Sequence, residues 1–152
     1  MKIPLFAVAA AIAAGWMSLA PADYPAADDK PIVEIVEQLE QQGYGPFSEL
    51  DCDEGRWEVE VYKNDTAYEL LIDGRSGEIR SEHRDDPEPR PPRDAQPLSQ
   101  ILHALLDAGY TQIHDVSLER RYWEIEAFRQ RSQRELHVHP VTGEIIADRL
   151  DD

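Results

Sequence analysis

The sequence predicts an α+β protein of two tandem repeats, each with one helix packed on an antiparallel meander of three to four strands. Residues 31–86 align with residues 97–152 at a constant offset of 66, and 15 of the 56 positions are identical without a gap. In each copy an apolar pattern of helical period is followed by apolar residues at every second position. The identities fall at helix ends, turns and alternating strand positions, which indicates a duplicated backbone.

Each repeat begins with a proline and a short amphipathic helix. Pro31 and Pro97 suit a first helical position, where the missing N–H group would have no helical partner. Gly43 and Gly109 are expected to end the helices, since glycine readily adopts the left-handed conformation needed there. The predicted buried stripes are Ile32, Ile35, Val36 and Leu39 in the first copy, and Leu98, Ile101, Leu102, Leu105 and Leu106 in the second.

The rest of each repeat carries strand and turn patterns. Trp57 and Trp123 each begin a segment in which apolar and polar residues alternate, as in a strand with one buried face. Gly77 and Gly143 suit a turn position of positive φ before the last strand. The expected strands are 47–53, the segments around Trp57 and Leu70, and 78–84 in the first copy, and 113–119, the segments around Trp123 and Leu136, and 144–150 in the second.

The N-terminus is interpreted as a secretory signal peptide. Residues 1–22 contain one charged residue, an apolar run of 17 residues and small residues at the expected cleavage site after Ala22. An uncleaved membrane anchor is the alternative, since such a run is at the short end of what spans a bilayer. No cysteine directly follows the run, which argues against a lipoprotein. Cleavage would leave a periplasmic or secreted chain with no stable membrane insertion.

A linker rich in proline and charge separates the repeats. Its sequence, DDPEPRPPRDAQ, favours an extended polyproline II chain. Such a linker could hold the repeats apart or let them dock, and the sequence leaves both open. The predicted order is a signal peptide (1–22), an N-terminal segment (23–29), the first repeat (30–84), the linker (85–96) and the second repeat (97–152).

Charge and cysteine content exclude some classes of protein. The formal net charge is −16, from 31 acidic and 15 basic residues, which excludes nucleic acid as an ordinary partner. Cys52 is the single cysteine, so no internal disulfide forms and the fold depends on its apolar core. Because Cys52 aligns with Leu118, we expect a small buried residue rather than a reactive thiol.

Three motifs of the second copy resemble the PepSY domain found in peptidase propeptides and YpeB-like proteins. These motifs are Gly109-Tyr110, Tyr122-Trp123-Glu124-Ile125-Glu126 and Thr142-Gly143-Glu144-Ile145. The first copy departs at residues 73–76, where the family more often has D-P-x-T. The resemblance implies a non-catalytic module that binds another exported or envelope protein, such as a peptidase that it inhibits or regulates.

Metal binding is the alternative function. On one strand, His137 and His139 would point to the same side as Glu135, near Glu124 and Glu126 of the adjacent strand. Imidazole and carboxylate groups suit Zn²⁺ or Cu²⁺. The first copy has Leu71 in place of the first histidine, so such a site would belong to one repeat only.

Partner binding is expected at aromatic residues rather than at a catalytic centre. Tyr62 and Phe128 fall on the otherwise polar face of the predicted sheet, where each could anchor a partner or pack within the chain. No G-x-S-x-G or Cys/His signature of a hydrolase appears in the sequence. We therefore predict no enzymatic activity.

Overall fold

The computed structural model describes residues 23–151, so the predicted signal peptide, 1–22, lies outside the described residues. In residues 23–151, two helices and an eight-stranded antiparallel sheet confirm the predicted α+β class. None of the helices within the described range has the length and apolar character needed to cross a membrane. The elements are α1 (Ile32–Gln41), β1 (Phe47–Asp53), β2 (Arg56–Lys63), β3 (Thr66–Asp73), β4 (Ile79–Arg84), α2 (Leu98–Asp107), β5 (Thr111–Leu118), β6 (Trp123–Arg129), β7 (Ser132–Val138) and β8 (Ile145–Leu150).

The two repeats join into one sheet through an antiparallel pair of strands. The strand order is β4-β3-β2-β1-β5-β6-β7-β8, so β1 and β5 form the junction. Leu50 and Val116 are opposite each other at its centre, and they are equivalent residues of the two repeats. An approximate twofold axis therefore passes through this pair, as in a symmetric dimer interface. The repeats are docked rather than held apart.

Both helices and the inward strand residues form a single core. The predicted stripes of α1 and α2 are buried, except that Leu106 is only partly buried. Trp57 and Trp123, the largest of the fully buried side chains, are 0% and 2% exposed. Glu40 at the end of α1 accepts hydrogen bonds from the backbone N–H (3.2 Å) and hydroxyl (2.6 Å) of Ser99 in α2. A repeat of this size has a marginal core alone, so a shared core stabilises both.

The helix ends differ from the prediction by one residue at the start. Pro31 and Pro97 precede the helices as caps with ψ values of 140° and 137°, rather than occupying the first helical position. Gly43 and Gly109 have φ values of 88° and 93°, as the predicted helix stop requires. Cys52 is 1% exposed, which confirms its predicted burial.

The segments before each repeat, residues 23–30 and 85–96, cross over the opposite repeat. In the linker, the Glu88 N–H donates to the Tyr62 hydroxyl (2.8 Å), and the Arg90 guanidinium lies 3.8 Å from the Tyr62 ring centroid. Tyr24, which is 66 residues before Arg90, packs its ring edge against Phe128 at 5.3 Å. The linker is therefore a docked segment, and the duplication includes the chain upstream of residue 31.

Candidate functional site

The sheet face opposite the helices carries a dense group of carboxylates. Five of them are cross-strand neighbours in a single row over five adjacent strands, and this row crosses the junction between the repeats. Directly opposite side chains in an antiparallel pair have Cβ atoms about 5 Å apart, so like charges there repel. We name this set the acidic row; it consists of Glu58, Asp51, Asp115, Glu126 and Glu135.

Burial and mutual repulsion change the protonation of this face. Burial, and then the carboxylates of Glu126 and Asp51, raise the pKa of Asp115 to about 7. Burial, and then the carboxylates of Glu88 and Glu49, raise the pKa of Glu60 to about 7. Part of this face therefore remains protonated near neutral pH, although ordinary carboxyl groups are fully ionised there.

His114 lies beside the acidic row and was missed by sequence reasoning. It is 4% exposed, and its Nε2 lies 3.2 Å from a carboxylate oxygen of Glu126. Its Nδ1 lies 2.9 Å from the Gln112 carbonyl, so an imidazolium would donate a hydrogen bond on each side. Simple alternation places His114 and Asp115 on opposite faces. The β5–β6 register shifts between Thr111 and Asp115, which turns His114 towards the acidic row.

Two of the four principal predicted metal ligands, Glu124 and His137, lie together with Glu135, which was expected on the same side of the sheet. Glu124, Glu135 and His137 each offer a ligand atom, and these atoms lie within 4.8 Å of one another. His137 Nε2 is 3.0 Å from Glu135 Oε1 and 3.8 Å from Glu124 Oε2. The His137 ring is stacked on Tyr122 with centroids 4.1 Å apart, which fixes its orientation. Glu126 pairs with His114 instead.

His139 does not join this group, which corrects the expected pairing of the two histidines. β7 ends at Val138, and the His139 Nδ1 accepts hydrogen bonds from the N–H groups two and three residues later (3.1 and 3.2 Å). Asp73 is the equivalent residue of the first repeat, and its carboxylate accepts the corresponding pair (3.1 and 2.8 Å). His139 thus stabilises a turn, in the role that aspartate has in the first repeat.

The two aromatic residues considered as anchors are covered by the chain itself, so of the two alternatives they adopt packing within the chain. Tyr62 is 3% exposed beneath the linker. Phe128 is half-buried and packs against the rings of Tyr24 and His114. Each is covered by the segment that precedes the other repeat, an arrangement that strand alternation does not reveal.

Exposed apolar side chains are instead found on one edge of the sheet. Within the described residues β4 and β8 each pair with one strand only, which leaves one side of each backbone open. Ile146 and Leu150 of β8 are 56% and 61% exposed. Their equivalents on β4 are Arg80 and Arg84, so the two edges differ in chemistry. Comparing equivalent positions of the two repeats in the sequence would have identified this difference. The apolar pattern along each single strand does not reveal it.

Two equivalent grooves lie beneath the segments that precede the repeats. The larger encloses about 700 Å³ between the linker, Phe47 and the start of α2, and it is lined mostly by proline and apolar side chains. The smaller encloses about 270 Å³ beneath residues 25–31, near the start of α1 and β5. Pro25 and Pro91 each line one groove, and the two prolines are 66 residues apart. An alignment extended upstream of residue 31 would have found this match.

Comparison with known proteins gives one family and two distant structures. Residues 4–83 and 85–149 each match the family model described as the peptidase propeptide and YPEB domain. None of the curated proteins matches this chain. A lipoprotein candidate from Clostridium difficile 630 is 11% identical with a TM-score of 0.46, over 86% of this chain and 96% of that one. A DUF2874 family protein from Bacteroides uniformis ATCC 8492 is 15% identical with a TM-score of 0.29, over 84% of this chain and 90% of that one.

Proposed function

Because this chain belongs to the peptidase propeptide and YPEB domain family, we propose that it is a non-enzymatic binding module of the cell envelope. The module binds an extended segment of another exported protein along β8. Its export depends on the predicted signal peptide, residues 1–22, and its location is the periplasm or the exterior of the cell. We assign no reaction to the chain.

The open edge of β8 is the observation that supports this proposal. Backbone pairing occupies one side of β8, from the Arg134–Leu150 pair to the Val138–Ile145 pair, and the other side is free among the described residues. An extended peptide can add to such an edge through main-chain hydrogen bonds, while its side chains supply specificity. The partner is therefore a protein with an exposed strand or an extended terminal segment.

The side chains of β8 favour an apolar partner segment. Ile146 and Leu150 lie four residues apart, about 13 Å along a strand, and both are more than half exposed. Their equivalents on β4 are arginines, and Arg80 forms ion pairs with Asp73 (3.2 Å) and Glu78 (3.4 Å). Charged edges resist strand addition, so β4 is protected in a way that β8 is not.

A matched pair of double variants tests this edge. Ile146→Arg with Leu150→Arg gives β8 the residues of β4, and it should lower the amount of partner captured from envelope extract by about tenfold. Arg80→Ala with Arg84→Ala is the control on the opposite edge and should leave capture unchanged. Equal losses in both variants, or no loss in the first, would contradict binding at β8.

The finer proposal is that the partner is a peptidase, which the chain inhibits or regulates. A strand added at β8 could occupy a peptidase segment that its substrates need. At micromolar concentration the protein should then lower the rate of substrate hydrolysis by at least one member of a panel of exported peptidases. The Ile146→Arg, Leu150→Arg variant should leave that rate unchanged. If no peptidase of the panel is slowed, inhibition of a peptidase is contradicted, while binding of another kind of exported protein at β8 is not.

A second candidate function is metal binding at Glu124, Glu135 and His137. The observation that favours it is the proximity of their ligand atoms, within 4.8 Å of one another. Titration calorimetry with Zn²⁺ and Cu²⁺ should show micromolar binding that His137→Ala abolishes. His139→Ala is the matched control, since that side chain is committed to its turn. Absence of heat with either metal would dismiss this candidate.

A further inference from the structure

Residue 23, which follows the predicted cleavage site, lies in a pocket of the acidic face. The pocket encloses about 360 Å³ beside the junction of the two repeats. Its lining contains many carboxylates and one imidazole, and neither lysine nor arginine is among its described lining residues. The lining residues are Asp23, Asp51, Cys52, Asp53, Glu58, His114, Asp115 and Glu126.

Tyr24 fixes the main chain at this place. Its hydroxyl donates to the side-chain oxygen of Gln133 (3.1 Å). Its ring meets His114 edge-on at 4.7 Å and Phe128 at 5.3 Å. Because adjacent Cα atoms are about 3.8 Å apart, anchoring Tyr24 also holds the main-chain nitrogen of Asp23 close to the pocket. The position of residue 23 therefore depends on specific packing, independent of the surrounding acids.

The pocket is short of positive charge. Within the described residues its only ion pair joins His114 to Glu126 (3.2 Å). Burial, and then the carboxylates of Glu58, Asp53 and Asp23, raise the pKa of Asp51. A cation among these groups would offset their repulsion, since an opposite charge within about 4–6 Å favours the ionised form of a carboxyl group.

We propose that cleavage after Ala22 supplies this cation, by placing the new α-ammonium group of Asp23 against the carboxylates of Asp51, Glu58, Asp115 and Glu126. An exported or membrane-bound endopeptidase hydrolyses the Ala22–Asp23 peptide bond with one water molecule. The hydroxyl of the water goes to the Ala22 carbonyl carbon and its remaining hydrogen goes to the Asp23 nitrogen. The amine released in this way then takes up a proton from solvent. In the precursor the same nitrogen is an uncharged amide.

Maturation would thereby strengthen the contact between the repeats. Asp51 and Asp115 are opposite each other at the β1–β5 junction, and both line the pocket that receives the ammonium group. The precursor lacks this charge, so its junction retains the full repulsion. Removal of the signal peptide thus becomes a stabilising step for the duplicated sheet, which is separate from binding at β8.

The effect has a defined pH window. The ordinary α-amino pKa is about 7.7–8.0, and surrounding carboxylates raise it in the folded chain. This stabilisation is fully present below the unfolded pKa and is lost as pH rises through the raised folded pKa. It also declines at low pH, where the carboxylates become protonated. The groups that face the ammonium are Asp51 and Asp53 from β1, Glu58 from β2, His114 and Asp115 from β5, and Glu126 from β6.

An NMR titration of the α-amine tests the proposal on the chain that begins at Asp23. Its pKa should lie about one unit above the ordinary range, a tenfold higher proton affinity. Asp51→Asn should remove at least half of that rise. Glu60→Gln is the matched control, since it removes another acid of raised pKa that does not line this pocket. An α-amine pKa in the ordinary range, or one unchanged by Asp51→Asn, would overturn the proposal.

A second measurement compares the same chain with and without Nα-acetylation. The free amine should give the higher Tm at pH 7–8, and the difference should disappear by pH 10. Mass spectrometry of the exported protein should give Asp23 as its first residue, and a different N-terminus would also overturn the proposal. None of these measurements involves a partner, so their failure would leave binding at β8 unaffected.

Discussion

Asp51 and Asp115 lie directly opposite each other where the first repeat joins the second. They belong to the acidic row, and Asp115 is buried enough for its pKa to rise to about 7. Opposed like charges destabilise a sheet, so the junction must be stabilised by other contacts, chiefly the shared core beneath Leu50 and Val116. The acidic face is thus maintained at a cost in stability.

Stability should fall as pH rises from 5 to 8. Asp115 and Glu60 have folded pKa values of about 7, above those of the unfolded chain. The folded state therefore binds more protons in this interval, and stability present at low pH is lost as pH rises through the folded pKa. Allowing for solvent screening, we expect a loss of order 1 kcal/mol in the free energy of unfolding. Urea unfolding at pH 5 and at pH 8 measures this difference, and a larger free energy of unfolding at pH 8 would contradict the prediction.

Asp115→Asn should stabilise the protein at pH 8. The substitution removes one charge from the centre of the acidic row, and relief of a cross-strand repulsion is worth about 0.2–1 kcal/mol. It should also reduce the pH dependence of unfolding. Glu144→Gln is the control, because Glu144 is an exposed acid in a turn away from the row. Destabilisation by Asp115→Asn beyond that of the control would indicate that the carboxyl has a structural partner.

The β6–β7 turn should be improved by residues that suit its backbone. Gln130 and Arg131 have φ values of 50° and 66°, while the equivalent Asn64 and Asp65 have 49° and 61°. Asparagine and glycine tolerate this left-handed conformation best. Gln130→Asn with Arg131→Gly should raise the free energy of unfolding by about 0.5–1 kcal/mol. Asn64→Gln should lower the free energy of unfolding. Thermal unfolding of both variants measures whether each one is stabilised or destabilised.

His139 should be replaceable by aspartate but not by alanine. Its Nδ1 accepts two backbone hydrogen bonds, as the carboxylate of Asp73 does in the first repeat. His139→Ala leaves those N–H groups without an acceptor and should cost about 1 kcal/mol. His139→Asp should retain nearly all the stability in urea unfolding at pH 7. An aspartate variant as unstable as the alanine variant would show that the two turns are not equivalent.

The sequence contains enough local information for the elements but not for their assembly. The helix stripes and the strand from Phe47 to Asp53 follow from periodicity, which depends on near neighbours along the chain. The acidic row depends on cross-strand register over five strands, and the burial of Tyr62 depends on a segment 26 residues away. His139 was misplaced because β7 ends at Val138, so strand alternation does not apply to His139. Tertiary contacts decide each of these features.

Site-specific photo-crosslinking in living cells tests the proposed β8 edge most directly. A crosslinker at residue 146 or 150 of the exported protein should join it to one partner protein. The same crosslinker at residue 80 or 84, the equivalent positions of β4, should give no comparable product. Crosslinks of equal yield from both edges, or from β4 alone, would contradict binding at β8.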